Sequence, residues 1–323
     1  MCSKKDQLKL LFVLLLMGAL ILSGCDILAD IFPSETEGVK VTEEPEGPSK
    51  ESTDDSIGVD IIGPTPAETE MNPIPPEPTA QSFRTSDGVE LQGMFYPART
   101  AYQPLIVMMH WAGGDMRDWQ VIAPWLQNSG VQQDFVGSER TWLEVSWFPV
   151  MPEDVSFNVF TFTFRGCEGG CQSLDPEGWL LDIEAAMMFI QGFEGVDLSR
   201  VATVGASIGA DGAVYGCTYY NAVTSVCHGA FSISPGGYLK IPYADAITYL
   251  EDDMPPASGW CLFAVGDTQS ATACENASGD LYQATEVEGQ AHGMALISPE
   301  SDPNPLIYML SFFNKIGICD DCP

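Results

Sequence analysis

Residues 201–211 read Val-Ala-Thr-Val-Gly-Ala-Ser-Ile-Gly-Ala-Asp, a spacing that suits a reactive hydroxyl on a tight turn. An apolar, β-branched run reaches Gly205, Ser207 follows, and Gly209 comes two residues later. A Gly-x-Ser-x-Gly pattern between strand and helix holds the serine in a strained backbone conformation, with small neighbours that let the flanking chain close in. The serine oxygen then stands above the sheet, over a helix N-terminus that favours negative charge. The chemistry expected is nucleophilic attack on an acyl carbon, given a base and a carboxylate within reach.

The base is sought by elimination among three histidines, His110, His228 and His292. After a Gly-x-Ser-x-Gly turn the acid and then the histidine follow in chain order. His292 lies in Glu-Gly-Gln-Ala-His-Gly, a glycine-rich loop after a short strand-like stretch, and a histidine there can swing into a site. His228 opens an apolar strand beside Cys227 and reads as structural; His110 ends Pro-Leu-Ile-Val-Met-Met-His and reads as the brace of a turn. The acid candidate is Asp267, at the end of the buried run Trp-Cys-Leu-Phe-Ala-Val-Gly-Asp. Its competing role is a helix N-cap, common for aspartate at a strand end. Glu275 and Asp280 are weaker candidates, expected within the following helical stretch.

Ser207, Asp267 and His292, in that order and on those elements, resemble the triad of an α/β-hydrolase. The resemblance spans about residues 82–317. It extends to His110-Trp111-Ala112-Gly113-Gly114, which is similar to the family's His-Gly-x-Gly-Gly oxyanion loop, and to Phe164-Arg165-Gly166, which is similar to its Arg-Gly turn after the fourth strand. The nearest flavour is the esterase and dienelactone-hydrolase-like group. Trp111 departs from the pattern, standing where the family has glycine. The resemblance implies acyl transfer through Ser207, with His292 as base, Asp267 as its orienting acid, and the N–H groups of Ile208 and Ala112 as the oxyanion hole. It implies no metal and no cofactor.

The elements that must position these residues follow from periodicity. Ser82–Pro97 reads as a hairpin with Asp87-Gly88 at its turn. Pro104–His110, Phe157–Phe164, Val201–Gly205, Ala230–Ser234, Trp260–Val265 and Thr285–Val287 read as further strands. Helices are expected at Asp115–Gly130, Asp175–Phe193, Ile208–Tyr220 and Asn304–Ile316. Strands alternating with helices predict an α/β fold, a mostly parallel eight-stranded sheet with helices on both faces. Only about 25 residues separate the sixth and seventh strands, which leaves no room for a large cap domain. The long stretch before the fourth strand carries Trp142, Trp147, Phe148 and Met151. It either overhangs the site, forming an apolar pocket of Trp111, Trp142 and Trp147, or packs as ordinary core.

Residues 1–24 read as an export signal. Lys4, Lys5 and Lys9 precede a short apolar run that ends in Leu22-Ser23-Gly24-Cys25, which resembles a bacterial lipobox with Cys25 as the lipidated residue. Two acyl chains there would suffice for stable anchoring to the cell membrane. Residues 25–80 read as a tether: from residue 26 they hold nine prolines and 14 acidic residues against two lysines, too little apolar surface to offset ordering entropy. Residues 81–323 form the expected catalytic domain.

Beyond Cys2 and Cys25 stand eight cysteines, an even number suited to an oxidising compartment. Local clustering suggests Cys167–Cys171, Cys217–Cys227, Cys261–Cys274 and Cys319–Cys322. The third is awkward, because a strand's length separates the two expected heights. Zinc is disfavoured, since no histidine lies close in sequence. The net charge of −32 disfavours nucleic acid and anionic membrane surfaces as partners. The sequence thus predicts an exported, membrane-tethered serine hydrolase of carboxylic esters acting on a small-molecule ester or amide. A peptidase or amidase on the same fold, and a non-catalytic binding lipoprotein favoured by Trp111, stand as alternatives.

Overall fold

Eight strands form one sheet in the order β1-β2-β4-β3-β5-β6-β7-β8. The computed structural model describes residues 75–129, 145–224 and 226–323. The export signal, Cys25, most of the tether and Trp142 lie outside the described residues. β1 (Thr79–Arg84) and β2 (Glu90–Tyr96) form the hairpin, and β2 also pairs antiparallel with β4 (Asn158–Phe162). β3 (Gln103–Met109), β5 (Val196–Ala206), β6 (Cys227–Ile233), β7 (Ser258–Ala264) and β8 (Tyr282–Val287) are parallel to β4 and to one another.

Alternation along each strand sorts the two faces. Ile106 and Met108 of β3 meet one cluster, with Val204, Ile233 and Leu262 from the neighbouring strands. It is covered by α1 (Ile122–Leu126) and α6 (Pro305–Lys315). Leu105, Val107 and Met109 meet the other cluster, beneath α2 (Pro176–Phe189), α3 (Ile208–Thr224), α4 (Tyr243–Asp252) and α5 (Thr268–Asn276). β4 is buried on both faces, so its Phe/Thr alternation separates two cores rather than a core from solvent.

Two elements differ from expectation. The helix expected over Asp115–Gly130 is instead a 3-10 turn, Met116–Trp119, followed by the separate short α1. Pro124 explains the break: inside one continuous helix it would remove a bond and crowd the preceding turn, whereas within the first turn of α1 its missing N–H costs nothing. Asp115 does cap the 3-10 turn, accepting from Arg117 N–H. The second difference is α4, a helix that the sequence reading left out. It fills the short β6–β7 connection and packs Ile247 and Leu250 into the core, and no cap domain is inserted there.

The four local cysteine pairs are bonded as expected. Cys261–Cys274 proves feasible because β7 ends at Ala264: three residues of strand climb ~10 Å, and six of α5 descend ~9 Å. The two Cα atoms come within 6.1 Å. Four disulfides in one domain mark an oxidising, extracytoplasmic setting.

Arg165, at the turn after β4, ties three parts of the sheet edge together. Its Nε donates to Asp182 of α2 at 2.7 Å and its Nη1 to Asp87 of the hairpin turn at 2.6 Å. Asp182 has a fully buried side chain and also accepts from the Arg165 N–H. Asp182→Ala leaves a largely buried guanidinium without its inner partner. It should cost about 3 kcal/mol of unfolding free energy, read from urea denaturation; a cost within error of zero would refute the role.

Candidate active site

Ser207 stands where β5 turns into α3, with φ at +54°. Both flanking glycines are required by close backbone approach. A Cβ on Gly205 would stand 1.8 Å from the Gly209 carbonyl oxygen, and one on Gly209 would stand 2.3 Å from the Met109 carbonyl oxygen at the end of β3. The Ser207 N–H donates to Ile233 at the end of β6, 2.8 Å away, so the turn is stitched to strands on either side. The first intrahelical bonds come from Ala210 and Asp211 to the Ser207 carbonyl. The N–H groups of Ile208 and Gly209 are therefore first-turn donors with no acceptor within the helix.

The structure brings Ser207, His292 and Asp267 together from the carboxyl ends of β5, β7 and the loop after β8. Ser207 Oγ is 2.8 Å from His292 Nε2, and His292 Nδ1 is 2.6 Å from Asp267 Oδ2. A carboxylate only accepts, so Nδ1 carries the proton and Nε2 accepts from the serine hydroxyl. The two roles weighed for Asp267 coexist: Oδ2 meets the histidine while Oδ1 accepts from Ser270 N–H as the N-cap of α5. Gly266 lets the histidine loop close, since a Cβ there would stand 2.6 Å from the Gly289 carbonyl oxygen. Glu275 and Asp280 are both exposed, and Asp280 falls beyond the end of α5 rather than within it.

The other two histidines are committed elsewhere. His110 is fully buried; its Nδ1 donates to the Trp111 carbonyl at 2.7 Å, and its Nε2 accepts from Phe164 N–H at 3.0 Å. It thereby locks the turn after β3 to the end of β4. His228 sets its two nitrogens against the carbonyls of Ile316 and Ser199.

The loop carrying Ala112 is held from both sides. The Ala112 carbonyl accepts from Cys171 N–H at 2.8 Å, so the loop closed by Cys167–Cys171 lies directly on it. Asp115 reinforces the junction, accepting from Arg117 N–H and from Gly169 N–H at 2.7 Å. Burial alone would raise the Asp115 carboxyl, but the Arg117 side chain and these two N–H groups outweigh it and hold the carboxyl at about 2. On the other side, the Trp111 indole lies against Gly113 and Gly293: a Cβ on either glycine would stand within 2.9 Å of the ring. The non-glycine residue at this position is thus a wedge between the Ala112 loop and the residue after His292. Trp147 is half-buried and packs edge-on to Phe148, at 4.9 Å between ring centres. Phe148 and Met151 are buried in the core beside Trp125, which assigns them to packing rather than to an overhang.

Sequence reasoning missed the loop after β6. Tyr238 meets the His292 imidazole edge-to-face, with ring centres 6.1 Å apart, and the loop is clamped by Asp211 of α3. Asp211 lies within the quoted motif, one helical turn beyond Ser207, but its partners are 25 and 27 residues away.

No protein-family model matches this chain, and no curated protein matches it in sequence. Solved structures do resemble it. The α/β hydrolase GrgF from Penicillium sp. sh18 aligns over 74% of this chain and 99% of its own, at 12% identity and a TM-score of 0.50. DcsB, solved in complex with its substrate analogue, aligns over 74% and 99%, at 14% identity and a TM-score of 0.51. Together with the strand order and the crossovers, these likenesses define the α/β-hydrolase fold.

Burial raises the Asp211 carboxyl to about 7, against the lowering effect of N–H groups from Tyr238, Gly237, Gly236 and Leu239. Its folded value exceeds the 3.8 of an open chain, so its contribution to stability is fully present below 3.8 and is lost as pH rises through about 7. The stability of wild type relative to Asp211→Asn, which cannot titrate, should therefore fall from about pH 5 to pH 8 in denaturant titrations. A relative stability that rises over that range would refute the assignment.

Proposed function

We propose that this protein is an exported, membrane-tethered serine hydrolase that cleaves carboxylic esters through an acyl-serine intermediate. The observation that carries the reading is the continuous chain Asp267–His292–Ser207, with both bonds at hydrogen-bond distance and the serine on a left-handed turn at a helix N-terminus. His292 takes the Ser207 proton as Oγ attacks the acyl carbon, then gives it to the departing alcohol. Water repeats the attack on the acyl-serine, and Ser207 leaves with a proton from His292. Asp267 holds the imidazole in the required tautomer and stabilises its charged form. The N–H of Ile208, a first-turn donor, and that of Ala112 receive the oxyanion.

Trp111, wedged against Gly293, would form one wall of the acyl site. Lipidation at Cys25 would hold the domain at the cell membrane on its acidic, proline-rich tether, and the four disulfides support the extracytoplasmic setting. Among the described residues, no helix is long and apolar enough to cross a membrane.

A fluorophosphonate probe should label the wild-type protein at Ser207, and Ser207→Ala should lose both the label and about 10⁴-fold or more of kcat on an aryl ester. A folded, oxidised wild type that takes no label would replace this reading with that of a binding protein. A second prediction concerns the Ala112 loop. Replacing Cys167 and Cys171 together by alanine frees the segment that bonds the Ala112 carbonyl. It should lower kcat about tenfold, with KM little changed, because an oxyanion donor acts on the transition state. A change confined to KM would assign the disulfide loop to substrate binding instead.

A further inference from the structure

The loop after β6 brings a tyrosine to the His292–Ser207 pair. The chain leaves β6 through Ser234, in the left-handed region at φ +54°, and runs past Gly236 to Tyr238. The loop is held on both of its edges. Asp211 accepts from the N–H groups of Gly236, at 3.2 Å, and Tyr238, while Gln269 Nε2 donates to the Gly236 carbonyl at 3.1 Å. Gly236 makes room for the ring: a Cβ there would stand 2.4 Å from Tyr238 Cζ and 2.6 Å from its hydroxyl oxygen. The ring packs edge-to-face with the His292 imidazole, and the hydroxyl is turned toward the side chains of Ser207 and Ser270 without a full hydrogen bond to either. Ser270 is fully buried, and its Oγ has no partner at full hydrogen-bond distance. Packing on His292 needs only a ring, so the hydroxyl calls for a separate explanation.

The direction of any bond between the Tyr238 and Ser207 hydroxyls follows from proton counting. Ser207 has one hydroxyl proton, and it is committed to His292 Nε2 at 2.8 Å. Toward Tyr238, Ser207 Oγ can therefore only accept. Burial, joined by the charges of Asp267 and Asp211, pushes the tyrosine up to about 12, so the phenol keeps its proton at neutral pH.

We propose that Tyr238 is a further catalytic residue, a hydrogen-bond donor to Ser207 Oγ that stabilises the negative charge this oxygen carries on attack and again on release. The inference rests on the acyl-serine reading above. During acylation the Ser207 proton moves to His292, charge builds on Oγ, and the phenol closes to a full hydrogen bond as its acceptor becomes anionic. Once the C–Oγ bond has formed, that charge passes to the carbonyl oxygen. During deacylation the C–Oγ bond breaks, charge returns to Oγ, and His292 supplies the proton. Tyr238 donates a hydrogen bond in both steps and transfers no proton in either.

The test compares wild type, Tyr238→Phe and Gly236→Ala on a series of aryl esters of graded leaving-group pKa, with fluorophosphonate inactivation rates and melting temperatures measured in parallel. Tyr238→Phe should keep its melting transition and its KM while losing about 10- to 100-fold in kcat and in inactivation rate. The loss should be equal across the series, because the affected oxygen belongs to the enzyme. Gly236→Ala, which displaces the ring, should lose at least as much. If wild type labels at Ser207 but folded Tyr238→Phe stays within twofold of its rates, this proposal falls and the acyl-serine reading stands. A loss that grows with poorer leaving groups would put the hydroxyl on the departing alcohol and overturn the assignment to Oγ. Failure of wild type itself to label would remove the acyl-serine reading and this inference with it.

Discussion

Everything in the site hangs on how closely three stretches of backbone approach one another at Ser207. The Gly205 Cα faces the Gly209 carbonyl, and the Gly209 Cα faces the end of β3, at separations that leave no space for a methyl group. That compression turns β5 into α3 within one residue, forces Ser207 into the left-handed region and leaves the first helical N–H groups directed past its side chain. The strain is offset by the surrounding sheet: Ser207 N–H bonds to β6, and the fully buried His110 locks the end of β3 to β4.

The loops that complete the site are short and do not hold their own shape. Each is pinned by a carboxylate on a neighbouring element. Asp115 gathers N–H groups from both the Ala112 loop and the disulfide loop, and Asp211 gathers those of the Tyr238 loop. Asp267 caps α5 while orienting His292. A carboxyl group does this well because it accepts several N–H bonds at once, and at Asp115, held ionised, such charge-assisted bonds are about twice as strong as neutral ones. The Cys167–Cys171 bond and the Trp111 wedge then limit how far the loops can separate.

Much of this was legible in the chain. Ser207, Asp267 and His292 could be read because each sits next to a local signal: a glycine pattern, a strand terminus, a glycine-rich loop. The strands were readable because apolar runs bounded by turn residues have few alternative uses. The disulfide partners were readable because all four pairs are local. The expected first helix failed on a local signal, Pro124, and the helix between β6 and β7 was left out. The choice left open for Phe148 and Met151 was decided by the core, and the expected but awkward Cys261–Cys274 pair closes because β7 stops early and α5 doubles back.

The sequence by itself determined the order of elements, the position of the strained serine and the two residues expected to act with it, since propensity, periodicity and glycine placement are properties of neighbours along the chain. Only the tertiary structure decided that Asp267 caps a helix and orients His292 with different oxygens, that Trp111 wedges two loops, and that the Tyr238 ring packs on His292. These depend on distances between segments 25 to 182 residues apart, and such distances are set by the packing of helices onto the sheet, which no local pattern encodes.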